Sequence, residues 1–318
     1  MEEFGKSRKD FLAEFLELPN GIPDRDTFRR VFEKINPSEL SSYLINWISA
    51  EREKRSVTAV DGKTICGSGN SQHKAYHVVS AFVAENQITP GEIKVEEKTN
   101  EITAVPELLD LIDVEGSIIT ADAMSCQKKI TEKIIQKKAD YIIGLKQNQP
   151  LLYKDAKDYF DEFSTELPII STNEKGHGRI EKREYCLLTD ISWLEQKQEW
   201  SGLNALGMVK STVTEGKETR IFTRYFITSL INFDEFSCAV RKHWSIENQL
   251  HWCLDVIFIE DALRAKKDNS PLNMNIMRKT ALSLVTQAQY GRISKKKLMF
   301  KAALDSSVLL DILFSPKK

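Results

Sequence analysis

The chain has 318 residues, 41% hydrophobic and 29% charged, an ordinary globular composition with room for one large or two modest domains. Its formal net charge of -1 announces no polyanion partner through global basicity. No apolar run approaches the ~20 residues of a membrane span, and the charged, mixed start MEEFGKSRKD is not a signal segment.

Residues 1 to about 54 read as helical. DFLAEFLEL carries an apolar stripe that breaks at PNGIP, a loop with two prolines and a glycine. DRDTFRRVFEKI restarts a helix behind an aspartate cap. SELSSYLINWISAEREK is a further helix with Ser38 as its cap. This N-terminal helical segment holds no catalytic cluster and suits DNA binding, dimerisation or packing on the adjoining domain.

The texture then changes. SVTAVDG is a β-branched run ending at Asp61-Gly62; AYHVVSAFVA and GEIKVEEK are the next strands, with turns at Glu85-Asn86 and Pro90-Gly91. TAVPELLDLI reads as a helix capped by Thr103, with Pro106 in its first turn. GSIITADAM is a buried strand ending in Asp122. SCQKKITEKIIQKKA is a periodic helix, DYIIGLKQNQP a strand and QPLLYKDAKDYFDEF a helix. Hairpin-linked strands followed by alternating helices and strands predict a mixed α/β sheet.

From about 165 to 232 the pattern is β-rich: GHGRIEKREYCLLTD, LNALGMVKSTVTEG and ETRIFTRYFITSL predict a mainly antiparallel insertion. RKHWSIENQLHWCLDVIFIEDALR, Arg241 to Arg264, reads as one amphipathic helix. Two helices close the chain, PLNMNIMRKTALSLVTQAQ and one around KLMFKAALDSSVLLDILF. From Arg264 to Lys301 ten Lys/Arg face one acid, Asp268. That asymmetry reads either as a nucleic-acid surface or as a solvated helical one.

The helix from Arg241 carries the chemistry. Ile246, Leu250, Cys253 and Ile257 share one face, while His243, Glu247 and His251 line the adjoining face with Asp255 one turn on. A carboxylate between imidazoles beside a buried stripe needs water, a cation or a substrate over it. Asp61 and Asp122 each end a strand, where α/β sheets open ligand crevices, although either alone reads as a turn residue or a helix cap. With Glu247 they make three hard-oxygen donors suited to Mg²⁺ or Mn²⁺. His243, Glu247 and His251 could instead hold zinc, or the histidines could simply pack or hydrogen-bond at a helix interface, the reading preferred for His251 alone. Trp244 and Trp252, eight residues apart, suit packing better than base stacking. Five scattered cysteines without a CxxC pair fit a reducing cytoplasm.

In order along the chain, VDGKTICGS, ITADAMSCQKKI, DYIIGLKQNQP, GHGRIEKREY and RKHWSIENQLHWCLDVIFIEDALR resemble the signature blocks of bacterial insertion-sequence transposases of the DDE type. The branch is the one that includes the H-repeat-associated proteins, and the resemblance runs from roughly Phe11 to Leu313. It implies a ribonuclease H-like mixed sheet with flanking helices, the β-rich insertion and the N-terminal helical segment. The domains would be 1–54 and a catalytic domain at 55–318, interrupted at about 165–232.

Carried over by motif, Asp61, Asp122 and Glu247 are the catalytic, metal-binding acids for two Mg²⁺ or Mn²⁺ ions. The implied substrate is double-stranded DNA at element ends and target, cut and then joined by 3′-OH attack, with a homodimer on the DNA. The candidate DNA contacts are Lys63, Lys146, Asn148, Arg179, Arg241, His243, Trp244 and Asn248, with Gln149 a weaker one; the alternative for each cation is a surface charge.

The chain departs from the wider group around Glu247. His243 stands for the usual Arg, Leu254 for Lys and Val240 for Tyr. It also begins late relative to family members, which suits a truncated copy. The competing functions are therefore a non-catalytic, transposase-derived DNA-binding protein and a metal nuclease that does not join strands.

Overall fold

The computed structural model describes residues 1–48, 55–69, 71, 74–95, 101–163, 166–176, 178–288 and 290–314. The predicted boundary near residue 54 and the end of the helix predicted to reach it lie outside these. β1 (Val57–Ile65), β2 (Tyr76–Val83) and β3 (Ile88–Val95) form an antiparallel meander. β4 (Ile118–Ala121) pairs parallel to β1, and β5 (Asp140–Leu145) parallel to β4. β6 (Ile169–Gly176), β7 (Arg179–Leu188), β8 (Ala205–Glu215) and β9 (Glu218–Thr228) come next as two long hairpins. β9 pairs antiparallel with β5, so the order among the described residues is β3-β2-β1-β4-β5-β9-β8-β7-β6. The first five strands, with β2 reversed, have the ribonuclease H-like arrangement. The β-rich segment is antiparallel as expected, but it continues the same sheet, and its edge strand β6 was not singled out in the sequence.

Helices cover both faces. α5 (Glu101–Leu111), α6 (Lys128–Gln136) and α7 (Pro150–Phe163) bury Leu108, Leu109, Ile130, Ile134, Leu152 and Phe160 against the sheet. Each such side chain contributes on the order of 1.5–3 kcal/mol relative to exposure. α8 (Phe233–His243) packs through Phe236, Ala239 and Val240 on Val57, Ile118 and Val209. α9 (Trp252–Val256) and the turn before it pack through Ile246, Leu250 and Cys253 on Ala59 and Phe82.

Several local expectations change. Pro90-Gly91 lies inside β3 rather than in a turn; β3 is an edge strand, where a missing N–H is tolerated. α5 starts at Glu101, so Thr103 is not its cap and Pro106 lies inside it. α6 starts at Lys128, after a short 3₁₀ turn at 123–125. The predicted helix from Arg241 to Arg264 is broken. α8 starts earlier, capped by Asn232, whose Oδ1 accepts from Glu235 N at 3.0 Å. A π-helical turn spans Ile246–His251, α9 ends at Val256, and Ile259 turns the chain at φ 50°.

The N-terminal segment packs on the C-terminal helices. It comprises α1 (Glu2–Ser7), α2 (Lys9–Ala13), α3 (Arg25–Lys34) and α4 (Pro37–Ile48). Asn36, not Ser38, caps α4, accepting from Ser38 N at 2.9 Å. Asn273 of α10 (Ser270–Gln287) donates to Phe32 O at 2.8 Å and Ile35 O at 3.0 Å. Arg8 reaches Ser306 Oγ at 2.6 Å. The last predicted helix is two, α11 (Lys295–Leu304) and α12 (Ser306–Phe314), parted at Asp305, which caps the second. The basic residues of this region do not form one surface: Lys279 is buried on Ser80 and Glu92, and Arg278 lies against Glu260. Among the described residues no helix is long and apolar enough to cross a membrane.

Candidate active site

Two parallel strands bring Asp61 and Asp122 together. β1 and β4 pair through Val60 and Ala121, so the next residue on each stands just past the last rung. Crevices open at this end of parallel strands. Asp61 does not end β1, because the ladder to β2 carries on to Ile65; the turn reading of Asp61-Gly62 is replaced by a mid-strand carboxylate.

Glu247 and His251 come from the π-helical turn. His251 Nδ1 lies 3.1 Å from Glu247 Oε2 and 3.6 Å from Asp61 Oδ2. Asp61, Glu247 and His251 each offer a ligand atom within 4.8 Å of the others, a metal-capable group. His243 is elsewhere: its Nε2 is 3.4 Å from Asp122 Oδ1 and its Nδ1 3.0 Å from Thr120 Oγ1. A regular helix would have aligned 243, 247 and 251. The break after α8 and the wider π turn give His243 to Asp122, and the Glu247–His251 pair to Asp61. The zinc grouping of His243 with both others is therefore not assembled.

The electrostatics follow from these neighbours. Burial first, then the charge of Asp122, push Asp61 up to about 6. The hydrogen bond from His243 holds Asp122 below the usual carboxylate range, despite burial that opposes it. Burial drives His251 down to about 4. At neutral pH its ring is uncharged and donates through Nδ1 to Glu247. His251 is buried, as the helix-interface reading has it, and its Nδ1 also faces the carboxylates of Asp61 and Glu247.

A cleft of about 870 Å³ opens here, lined by Asp61, Asp122, Glu101, Lys146, Arg224 and Trp244 among others. Lys146 follows β5 and is exposed. Asn148 also lines the cleft, but its Nδ2 donates to Ala123 O at 2.7 Å, and Gln149 Nε2 donates to Cys126 O at 2.8 Å. These bonds tie the loop after β5 to the loop after β4. Trp244 is 43% exposed and Trp252 53%, so packing does not account for either ring. The Arg224 guanidinium lies 5.0 Å from the Trp244 ring centre, a cation–π contact at the cleft.

Other candidates are placed differently. Lys63 Nζ lies 2.7 Å from Asp255 Oδ1 and is largely covered. Arg241 binds Glu174 through two hydrogen bonds of 2.9 Å. Arg179 opens β7, away from the residues that line the cleft. Asn248 is exposed beside Glu247. Leu254 is 0% exposed, and Val240 lines the cleft but carries no polar group, so neither can replace the hydrogen-bonding contact of a Lys or Tyr. Arg224 and Glu101 were missed: Arg224 sits in an alternating strand, and Glu101 only opens a helix. No local spacing marks either one.

The chain matches the family described as "Transposase DDE domain" over residues 52–284, and "DDE_Tnp_1-associated" over 1–48. It is 36% identical to the "H repeat-associated putative transposase YhhI" of Escherichia coli (strain K12), over 98% of this chain and 86% of that protein. It is also 36% identical to "Putative transposase YncI" of Escherichia coli O157:H7, over 99% of this chain and 84% of that protein. Among solved structures it aligns with piggyBac transposase in a synaptic complex with hairpin DNA, at 12% identity and a TM-score of 0.49. That alignment covers 98% of this chain and 65% of the other, a likeness too loose to argue from. With both segments matched in order and relatives 36% identical over nearly the whole chain, the chain belongs to the DDE transposase family.

Proposed function

We propose that this transposase cuts the ends of a mobile element and joins the freed 3′ ends to target DNA with the help of two Mg²⁺ or Mn²⁺ ions. The observation that carries the reading is the pair Asp61 and Asp122, side by side past the Val60–Ala121 rung and facing an open cleft. The donor set fits hard divalent cations: clustered carboxylates, one of them raised by burial and by its neighbour's charge, with little cationic compensation at Asp61.

Asp61, Asp122 and Glu247 would hold the ions. When bound, they would supply an activated water and stabilise the leaving 3′ oxygen. His243 keeps Asp122 ionised and oriented. His251, uncharged, donates to Glu247 and fixes its rotamer. Lys146 and Arg224 face the cleft as cations for backbone phosphates. No side chain needs to bond covalently to DNA. Double-stranded element ends and target would be the DNA partners, bound by a homodimer, and the free cysteines fit a reducing cytoplasm.

The test is metal-dependent nicking and joining of a labelled element end. Asp61→Asn and Asp122→Asn should each abolish nicking while leaving folding and DNA binding nearly intact. Nicking at the wild-type rate by either variant would refute the assignment. Nicked product that is never joined would remove the strand-transfer half.

A further inference from the structure

Glu101 opens α5 and lines the cleft with Asp61 and Asp122. Its Oε1 lies 2.6 Å from Nε2 of His77 on β2. His77 is buried, and its Nδ1 lies 2.9 Å from Thr64 Oγ1. If the Thr64 hydroxyl donates to Nδ1, the ring proton sits on Nε2 and is donated to Glu101. The chain Thr64–His77–Glu101 thus aims one carboxylate at the strand that carries Asp61.

The approach is close because residue 62 is glycine. A Cβ there would lie 2.6 Å from Glu101 Oε1 and 2.5 Å from His77 Nε2. Glu101 therefore rests on the β1 backbone at the residue next to Asp61. Its Oε2 accepts no hydrogen bond among the described residues. The His77 bond fastens helix to sheet through one oxygen, but that alone does not account for an acid lining a cleft already lined by Asp61 and Asp122, where like charges repel.

We propose that Glu101 is a further carboxylate of the divalent-metal centre, with His77 as its positioning residue. This rests on the reading of Asp61 and Asp122 as metal-binding acids. A fourth hard-oxygen donor increases the site's negative charge and its demand for a divalent ion. His77 holds one oxygen and leaves the other free to bind an ion, as outer partners of metal ligands do.

The test is calorimetric titration of the full chain with Mn²⁺ alone, without DNA. Glu101→Gln should weaken Mn²⁺ binding by about tenfold or more, with melting in EDTA close to wild type. His77→Phe should weaken it similarly, while His77→Gln, whose amide can still donate, should retain most of the affinity. Asp61→Asn is the reference. If Asp61→Asn loses Mn²⁺ and Glu101→Gln does not, the role of Glu101 falls and the centre stands. If both bind as wild type, the metal centre itself falls. Lowered melting with unchanged Mn²⁺ affinity makes the pair a structural fastener and also overturns the proposal. Should Glu101→Gln not fold, Glu101→Ala takes its place, and wild-type Mn²⁺ affinity in that variant has the same overturning force.

Discussion

Lys63 Nζ lies 2.7 Å from Asp255 Oδ1, and 3.8 Å from Oε2 of Glu260, which is fully buried. Lys63 and Asp61 are two apart on β1 and so face the same side of the sheet. There Asp61 meets Glu247 and His251, and Lys63 meets the next turn of the same helical stretch. The lysine secures the helix over the strand.

This leads to a prediction about DNA. Lys63→Met should cost about 1–3 kcal/mol in denaturant unfolding, because buried Glu260 keeps only Arg278 as a nearby cation while half-buried Asp255 turns to water. The salt dependence of DNA binding should be unchanged. A slope lower by about one would return Lys63 to the phosphate contacts.

The pH dependence of the metal-free protein should depend on Asp61. Its folded value of about 6 exceeds its ordinary 3.8. The folded state therefore holds the proton more tightly, and stability from this group is lost as pH rises through about 6. Asp61→Asn should stabilise the EDTA-treated protein by about 1–3 kcal/mol at pH 7 to 8. That gain should vanish below about pH 4, where the carboxyl is protonated in both states. Urea unfolding at the two pH values measures it; an equal gain at both would remove Asp61 ionisation as the cause.

Gly62→Ala adds only a methyl, yet it meets His77 and Glu101. It should destabilise the chain by about 1–3 kcal/mol. It should also slow nicking more than a surface Gly→Ala change of equal stability cost. Wild-type melting and nicking would mean that the two side chains move aside freely.

Lys146 and Arg224 should behave unlike Arg241. Lys146→Ala and Arg224→Ala should each weaken binding to any sequence and lower the log–log salt slope by about one. Arg241→Ala should leave that slope unchanged, because its guanidinium is already held by Glu174. Fluorescence anisotropy across a salt series measures all three. Equal slopes for Lys146→Ala and wild type would take Lys146 out of the DNA path.

The helix interior shows where local pattern stops. Ile246, Leu250 and Cys253 were read as one buried face, and they are buried together. The continuous helix drawn through them was not there. Apolar spacing reports which side chains seek a core, and a π turn keeps that face while shifting the polar one. The same limit applies to Trp244 and Trp252, whose spacing suggested packing and whose rings are exposed.

By itself the sequence determined the mixed sheet, the β-rich antiparallel segment and the acids Asp61, Asp122 and Glu247 as the residues to watch. Alternation along strands and helical periodicity are local consequences of backbone geometry. Tertiary structure alone decided how those acids are partnered. The β1–β4 register set Asp61 beside Asp122, packing of the π turn on β1 brought the Glu247–His251 pair to Asp61, and a missing Cβ at Gly62 admitted Glu101. These are contacts between side chains distant in the chain, fixed by how sheet and helices close on one another, and no local spacing encodes them.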